Sequence, residues 1–596
     1  MNRSIATPFG VALTLMLAVD AACARSKTAL QPTASPSAVA RVYAPSREVR
    51  ASNNVWTNAP SPFSGANVNA LLGADVYYSA GITGAGARLA NVEAGHIWSG
   101  HETLTHVSNF VHSPAAWNDS GTPGAQQADL VDRHATWVAS IAGGRVGGVS
   151  PGERQRGIAF GATIESGAIA TQWNDDAYAG GFSISGDSFF VPYNVFFAQS
   201  DVINSSWGGS DLDGVGFFSR LGDALANENP SATFVVSAGN AGPDDNTVGS
   251  PGSAYNAITV GALTNGGGNA YDSAADFSSR GPQDWAGGGF FCEACRSPVD
   301  IAAPGDRLQA AFYGGQTGGN NPTLNGAFGV ANGQGFSSNI AGTSFSSPIA
   351  AGAAALVVSG AYADPQLAGN AASRDARVVK AVLLNSAEKT NGWDNGQSLV
   401  SGVIETSQSL DYATGAGALD IGGVYDQHLM AETRDVPGAG AGALGVVGGV
   451  GWDYGEVAAG GTNTYLLDEA TPAGTEFTVT LAWFRERVQS FLTDGSATDI
   501  AQVDLDLIVR DAVSGDVVAQ SISHVNVVEH LHFVAPATST YQIEVDYFGE
   551  VFGSVGAEQY GLAWSAVTVP EPSSTGLLLV GAAVAVSRRR SAALRP

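Results

Sequence analysis

The sequence is poor in charged residues, above all basic ones, and in cysteine. Charged side chains make up 14% of its 596 residues, whereas soluble domains typically reach about 25%. Lys and Arg number 27 against 54 Asp and Glu, so the chain lacks the basic footprint of a nucleic-acid-binding protein. The formal net charge of −27 instead favours solubility outside the cell.

Length and the remaining composition indicate a folded protein of several domains. A chain of 596 residues exceeds one ordinary hydrophobic core, which predicts roughly two to four domains. Hydrophobic residues make up 44%, a normal share for globular proteins. The 77 Gly residues indicate many tight turns and close backbone approaches.

The N-terminus has the pattern of a secretory signal peptide. Arg3 precedes an apolar stretch at residues 5–19, and the small residues Ala22-Cys23-Ala24 follow as a cleavage site. We therefore predict a signal peptide over residues 1–24 and export of the mature protein. Residues 25–64 are rich in Ser, Pro and Ala without periodicity, which predicts a linker.

The C-terminus carries a second candidate targeting signal. Val569-Pro570-Glu571-Pro572 precedes an apolar run at 575–586 and the basic residues 588–590. This order resembles the PEP-CTERM sorting signal of Gram-negative bacteria, whose tail a membrane protease removes. For residues 568–596 the resemblance implies transient contact with inner-membrane sorting machinery and a final location at the cell surface or in the extracellular matrix. A short retained anchor is the alternative, although the run is shorter than the ~20 residues that span a bilayer.

The cysteines predict a local disulfide. Once Cys23 leaves with the signal peptide, Cys292 and Cys295 remain. Their C-x-x-C spacing suits zinc or redox chemistry, but no second cysteine pair and no nearby histidine could complete a zinc site. A disulfide within a surface loop is the preferred interpretation.

The pattern of apolar runs and helical segments along the chain predicts two folded domains. In residues 65–430, short apolar runs alternate with helical patterns, which predicts an α/β fold with a doubly wound, largely parallel sheet. Its predicted buried strands are 88–92, 232–237 and 257–262, and its predicted helices are 345–360 and 376–387. In residues 445–567, apolar runs of strand length predict an all-β sandwich. Its predicted strands are 477–483, 503–509, 517–522, 531–535 and 541–545.

A serine-rich segment contains the first candidate for chemistry. Gly342-Thr343-Ser344-Phe345-Ser346-Ser347-Pro348 opens an apolar helix. A serine at a helix start lies near the positive end of the helix dipole and near N–H groups that can bind a developing oxyanion. Pro348 is expected in the first turn, where its missing N–H costs nothing. Ser344 is thus a candidate nucleophile, although helix capping alone would also place a serine here.

Two further segments supply a candidate base and a candidate amide donor. His134 lies in the first turn of a predicted short helix that ends in glycine, and Asn240 follows a buried strand and the small residues Ser237-Ala238-Gly239. An amide in that position could donate to an oxyanion and contribute about 3 kcal/mol to the transition state. Taken singly, the histidine could be a surface or core residue and the asparagine a turn residue.

Together these segments resemble the subtilisin-like serine peptidases, or subtilases. The resemblance continues in family order through residues 202–209, 250–262, 277–282 and 299–305. It implies the doubly wound parallel fold of that family and endopeptidase activity on proteins or peptides, without a cofactor in the chemistry. Ser344 would attack the peptide carbonyl, His134 would take and return the proton, and Asn240 with the Ser344 N–H would hold the oxyanion.

The same resemblance assigns the substrate-binding residues. Ser206, Trp207, Gly208 and Gly209 would pair with the substrate backbone as an added strand. Together with Ser237, Ala238 and Gly239 they would line the main specificity pocket. The small residues suggest an open pocket for large apolar side chains, although Trp207 is bulkier than many family members carry there.

The sequence departs from the family pattern at the third triad position. Most subtilases end the first strand with Asp, whereas here that strand ends at Glu93. Glu93 is therefore the candidate that orients His134, with the charge of Asp and one more methylene. Asp129 and Asp132 lie close to His134 in sequence but on the wrong segment for this geometry.

Three functions stay open at this point. An active peptidase with Glu93, His134 and Ser344 is favoured. A lapsed peptidase that binds peptide or matrix without cutting it is the first alternative. An acid peptidase resembling the sedolisins, which pair Ser with Glu, is the second, and His134 and Asn240 argue against it.

The second domain resembles the jelly-roll domain that follows the catalytic domain in some subtilases. The resemblance rests on Asp504-Leu505-Asp506-Leu507 and Asn526-Val527-Val528-Glu529. These carboxylates could hold a structural calcium ion, because calcium prefers hard oxygen ligands. Solvated turns and sheet edges are the alternative interpretation, and we assign no metal to the catalytic site.

Overall fold

The computed structural model describes most of the two predicted domains. It covers residues 67–114, 130–145, 156–173, 181–265, 271–315, 317, 335–430, 432–433, 443–489 and 497–567. The backbone of Leu13–Leu15 is also described, as a short strand paired with Phe182–Ile184. The rest of the predicted signal peptide, the linker and the sorting signal lie outside the described residues.

The helices lie almost entirely in the first domain. They are α1 (Val68–Leu71), α2 (Asp75–Ser79), α3 (Arg133–Gly143), α4 (Gly186–Gln199), α5 (Phe217–Glu228), α6 (Thr343–Ala363), α7 (Ala376–Asn385) and α8 (Ile421–His428), with a 3-10 turn at Ala371–Arg374.

The strands before residue 443 begin with the N-terminal segment. They are β1 (Leu13–Leu15), β2 (Arg88–Glu93), β3 (Ser108–His112), β4 (Thr163–Ala168), β5 (Ala170–Trp173), β6 (Phe182–Ile184), β7 (Val202–Ser205), β8 (Thr233–Ser237), β9 (Ile258–Thr264), β10 (Ser273–Ala274), β11 (Gln283–Gly287), β12 (Phe290–Arg296), β13 (Ile301–Pro304), β14 (Leu308–Ala311), β15 (Phe336–Ile340), β16 (Ser398–Val400), β17 (Val403–Thr406) and β18 (Glu432–Thr433).

The second domain is built from strands. They are β19 (Ala443–Val447), β20 (Val450–Ala458), β21 (Thr462–Leu467), β22 (Glu476–Trp483), β23 (Glu486–Gln489), β24 (Ala497–Asp511), β25 (Val517–Ser521), β26 (Val528–Val534), β27 (Tyr541–Phe552) and β28 (Ala557–Val567).

An 8-stranded sheet forms the centre of the first domain. Its order is β10-β9-β8-β7-β2-β4-β3, with β13 beside β9. The pairings are parallel except for that of β10. Continuous burial of β2, β7 and β8 follows from helices on both faces, as expected for a parallel sheet. The predicted doubly wound α/β class is confirmed, and the predicted strands lie within a few residues of β2, β8 and β9.

Helix α6 runs through the core of this domain. Its residues from Thr343 to Ala361 are buried, and it packs on α3 and on β7, β8 and β9. Among the described residues it is the one helix long and apolar enough to cross a membrane, with a mean hydropathy of 1.4. Every residue of that apolar window is buried inside the protein, so α6 serves as the core helix of the fold.

Two facing sheets form the second domain, which we call the β-domain. One has 8 strands in the order β16-β17-β25-β24-β27-β21-β19, with β23 beside β24. The other has 5 strands in the order β18-β20-β28-β22-β26. The aromatic and aliphatic side chains between the sheets form a separate hydrophobic core, which confirms the predicted all-β sandwich.

The two domains share structure across their sequence boundary. Strand β17, within the predicted peptidase segment, pairs in parallel with β25 of the β-domain. Helix α7 packs on β22 and β28. A Cβ at Gly561 of β28 would clash with the backbone of Arg377, so strand and helix backbones are in direct contact.

The predicted disulfide is present. Cys292 and Cys295 are bonded to each other. They lie on strand β12 of a two-stranded hairpin with β11 and not in a loop. The pairing shifts register within the C-x-x-C segment, between Cys292 opposite Trp285 and Arg296 opposite Gln283.

Candidate active site

The first candidate residue, Glu93, is the last residue of central strand β2. Parallel strands direct their carboxyl ends to one edge of a sheet, so Glu93 lies beside the residues that follow β7, its neighbour on one side, with β4 on the other side. Glu93 is 1% exposed. Its Oε1 accepts a hydrogen bond of 2.7 Å from the backbone N–H of Ser206, which fixes one end of the carboxylate.

His134 lies on the opposite side of this carboxylate. Its Nδ1 is 2.9 Å from Oε2 of Glu93. Asp132 caps helix α3 by accepting from the backbone N–H groups of His134 and Ala135, at 3.1 and 3.3 Å, which holds His134 in the first turn. Asp132 thus acts as a helix cap, and Asp129 lies outside the described residues.

Burial and charge oppose each other in this pair. Burial raises the pKa of Glu93, while the neighbouring His134 opposes that rise. Burial also lowers the pKa of His134, but the charge of Glu93, their hydrogen bond and the charge of Asp132 outweigh it and raise that pKa above its ordinary value. A carboxylate that accepts from both Ser206 and His134 therefore favours a His134 with its proton on Nδ1, which leaves Nε2 as the basic nitrogen.

Ser344 is the second residue of helix α6, and the predicted position of Pro348 in that helix is wrong. Because α6 begins at Thr343, Pro348 lies in its second turn and leaves the carbonyl of Ser344 without its usual helical donor. The Ser344 hydroxyl donates to the carbonyl of Ser206 at 3.0 Å. The ring of Phe345 lies 5.9 Å from that of His134, so α3 and α6 bring serine and histidine to the same edge as Glu93.

Asn240 is fixed by its own carbonyl oxygen. Its Oδ1 accepts from the N–H and the hydroxyl of Thr343, at 2.9 and 3.0 Å, which orients Nδ2 as a donor on the other side. Gly239 precedes it with a φ of +110°, a conformation that glycine adopts at little cost. This turn after β8 is what presents the exposed amide beside the start of α6.

A buried polar network behind these residues was not predicted from the sequence. The side chain of Asn91 on β2 donates to the carbonyl of Ala135 at 3.3 Å and accepts from Asn204 on β7 at 2.9 Å. Asn204 also accepts from Ser347 on α6 at 2.7 Å. One chain of hydrogen bonds therefore links the elements that carry Glu93, His134 and Ser344. The signal available was a polar residue, Asn91, inside an otherwise apolar strand.

The four predicted substrate-pairing residues do not all have free backbone groups. The N–H of Ser206 is bound to Glu93, and the N–H of Gly209 donates to the carbonyl of Ser250 at 2.7 Å. The indole of Trp207 is buried among the rings of Phe182, Phe189 and Phe218. Its N–H donates to the hydroxyl of Tyr193, so the side chain of Trp207 belongs to the core and does not line the predicted pocket. Gly208 is exposed.

A loop at residues 248–256, which we call the substrate-edge loop, also contacts the predicted pocket. Its Ser250 carbonyl binds Gly209, as described above. Its Gly252 lies so close to β8 that a Cβ there would be 2.7 Å from the Ser237 carbonyl oxygen. Ser237 and Ala238 are buried beneath it. Sequence reasoning placed this loop in the family pattern without assigning it to the pocket.

The described residues show no preformed metal centre. They contain no group of three or more His, Cys, Asp or Glu side chains that could hold a metal ion. Asp504 binds His524 at 2.6 Å, and the carboxylate of Glu529 accepts from Ser521 and Ser523. Asp504 and Glu529, two of the carboxylates proposed for calcium, therefore already have hydrogen-bond partners within the β-domain.

A parallel α/β sheet whose carboxyl edge joins a buried carboxylate, a histidine, a helix-start serine and an asparagine amide defines a subtilisin-like serine peptidase. The comparison with protein families agrees: the Subtilase family (Peptidase S8) matches residues 52–403, more than half of the chain. The chain belongs to this family.

Known relatives cover only part of the chain. A subtilisin from Bacillus sp. (strain TA39) is 34% identical over 157 residues, which are 26% of this chain and 31% of the relative. Pyrolysin from Pyrococcus furiosus is 32% identical over 171 residues, 28% of this chain and 11% of pyrolysin. The matches therefore span less than a third of each relative's length.

Solved structures are also similar to this chain. One from Pseudoalteromonas arctica has a TM-score of 0.41 and 17% identity, and the match covers 61% of this chain and 94% of that structure. Sphericase has a TM-score of 0.38 and 21% identity, with 56% and 92% covered.

Proposed function

We propose that this chain is an active serine endopeptidase in which Glu93 replaces the aspartate that most subtilases carry. The observation behind the proposal is the bridging carboxylate: Glu93 binds His134 at 2.9 Å and the Ser206 N–H at 2.7 Å. The extra methylene is thus accommodated with both oxygens in use.

In this proposal the groups take the roles that the family resemblance implies. The proton of the Ser344 hydroxyl passes to Nε2 of His134 as Oγ bonds to the substrate carbonyl carbon. The negative charge on the carbonyl oxygen is held by Nδ2 of Asn240 and the Ser344 N–H. His134 returns the proton to the leaving amine, and water then hydrolyses the acyl-enzyme by the same steps. Glu93 stays ionised and stabilises the imidazolium.

Labelling of the nucleophile tests this proposal. A fluorophosphonate probe is expected to label the wild-type protein at Ser344, and Ser344→Ala is expected to abolish both labelling and hydrolysis of an unfolded protein. Thermal unfolding of the two proteins provides the folding control. A folded wild type that binds an unfolded protein, yet is neither labelled nor cleaves it, would refute the enzyme and support the lapsed, peptide-binding alternative.

Export and calcium belong to the same proposal. The signal-peptide pattern at 1–24 and the PEP-CTERM resemblance at 568–596 support a secreted peptidase of the cell surface or matrix. Mass spectrometry of the mature protein tests this, since both termini should be shortened. Calcium in the β-domain stays a prediction, and a fall in Tm on addition of EGTA would support it.

A further inference from the structure

The substrate-edge loop is attached to the β-domain as well as to the pocket. Within the first domain, Asp223 on helix α5 accepts from the loop's backbone N–H groups of Tyr255 and Asn256, at 3.1 and 2.8 Å. Asp223 is fully buried, and its charge partner is Arg487 of the β-domain, at 2.7 Å. Both side chains are 0% exposed, so loop backbone, carboxylate and guanidinium form one buried unit.

A second contact joins the loop directly to the β-domain backbone. The Asn256 amide donates to the carbonyl of Arg485 at 3.0 Å and accepts from its N–H at 2.8 Å. Asn227 on α5 donates to the carbonyls of Arg485 and Arg487, each at 3.0 Å. The side chains of Asn227 and Asn256 thus form hydrogen bonds with the β-domain backbone, as a neighbouring strand would.

The ring of Tyr255 is the third contact. Three guanidinium groups lie near its centroid: Arg296 at 3.7 Å, Arg485 at 4.5 Å and Arg487 at 5.1 Å. Cation–π attraction strengthens where water is excluded, and the two β-domain arginines are completely buried. Arg296 in turn donates to the loop carbonyl of Ser253 at 2.7 Å, so the ring and the backbone are held together.

These contacts continue to the substrate-binding segment. Ser250 of the loop accepts the Gly209 N–H at 2.7 Å, and the loop rests on Ser237. We propose that the β-domain is part of the substrate-binding apparatus, with Arg485 and Arg487 as positioning residues that hold the substrate-edge loop and, through it, Gly209. The enzymatic side of this inference rests on the proposed peptidase function.

The test compares Arg485→Gln with Gln427→Ala. Gln427 on α8 is buried in the same interdomain interface, where its amide donates to the carbonyls of Gly451 and Trp564, each at 3.0 Å. Its truncation weakens the interface at a different place from the loop. Arg485→Lys is the conservative variant, which keeps the charge and loses the planar fork that binds Ala286 and Asp499.

The first measurement needs no activity. Amide hydrogen exchange of Gly209 is followed in a Ser344→Ala background, because that amide reports directly on the bond to Ser250. Arg485→Gln is expected to accelerate exchange at least about tenfold, Arg485→Lys less, and Gln427→Ala less than about twofold. If Arg485→Gln does not fold, Arg485→Lys supplies the comparison with Gln427→Ala.

The second measurement is kcat/KM for peptides with one to four residues on the acyl side. A misplacement of about 1 Å can cost on the order of 100-fold, so a partial displacement is expected to lower kcat/KM about tenfold for the longest peptide in Arg485→Gln. The shortest peptide and labelling by a small sulfonyl fluoride should change less than about twofold, since neither needs Gly209.

The outcomes separate the two ideas. Suppose that Arg485→Gln and Gln427→Ala show the same Gly209 exchange rate and the same dependence of kcat/KM on peptide length. That result would overturn the positioning role, because a general weakening of the interdomain interface would explain both effects. A folded wild type without labelling or cleavage would refute the peptidase function alone, since the exchange experiment would still decide whether the β-domain holds Gly209.

Discussion

Replacing Glu93 by Gln is the sharpest test of the catalytic site. The two oxygens of Glu93 each accept a hydrogen bond, from the Ser206 N–H and from Nδ1 of His134. A glutamine has one oxygen, and the backbone N–H of Ser206 can only donate. The amide oxygen should therefore face Ser206 and its NH2 group should face His134, which must then accept at Nδ1.

This tautomer carries its proton on Nε2 and cannot take one from Ser344. The corresponding exchange of Asp for Asn in a Ser-His-Asp triad lowers kcat about 10⁴-fold, or roughly 5 kcal/mol in the activation barrier. We therefore expect Glu93→Gln to lower kcat by about 10³- to 10⁴-fold. Glu93→Asp keeps the charge but is one methylene short, and a loss of about 100-fold is expected.

The assay is kcat/KM on a chromogenic peptide, with thermal unfolding as the folding control. Removal of the Glu93 charge also lowers the pKa of His134, so residual activity should extend to more acidic pH. Activity of a folded Glu93→Gln variant within about tenfold of wild type would refute the reasoning and move the orienting role to another group.

Three further outcomes are expected. Burial lowers the pKa of His134, but Glu93 outweighs burial and raises that pKa. Because the base must be neutral, kcat/KM of the wild type should fall as pH drops through a value above the ordinary histidine pKa of about 6.5. A midpoint at or below about 6.5 would contradict this. Asn240→Ala should lower kcat about 10²- to 10³-fold with little change in KM, as steady-state kinetics would show, and an equal rise in KM would instead indicate lost binding. Burial lowers the pKa of Lys389 to about 7, so the folded protein binds fewer protons than the unfolded chain between pH 7 and about 10, and the free energy of unfolding should rise with pH there. Urea unfolding at several pH values should show this rise, with a slope of up to about 1.4 kcal/mol per pH unit. The slope should be smaller in Lys389→Met. A variant with the same slope as the wild type would refute the reasoning.

The sequence was sufficient to predict the strands, helices and site residues that depend only on short segments of the chain. Buried strands such as β2 and β8 are visible as apolar runs, and helix α3 as a short helical segment that ends in glycine. Ser344, His134 and Asn240 stand in family-like motifs, and the structure brings them to one sheet edge. Glu93 was found because its place at the end of a strand is itself a local feature.

What the sequence could not predict depends on distant contacts. The direction of the Trp207 ring follows from a cluster that includes Phe189 and Phe218. The second-turn position of Pro348 follows from Asn240, which accepts from Thr343 and starts the helix earlier. Asp223 and Arg487 lie in different domains, and no sequence pattern around either residue predicts that they form an ion pair.

The contact between β28 and helix α7 bears on how the protein can be divided. At Gly561 the strand lies on the backbone of Arg377, and β17, with β16 at its outer side, joins a sheet whose remaining strands come later in the chain. A truncation at the end of the peptidase segment would therefore strip one face of a core helix and leave an unpaired strand edge. The two domains are separate in sequence but form a single unit for expression, and exchange with the β-domain of another peptidase would require α7 and β17 to be exchanged with it.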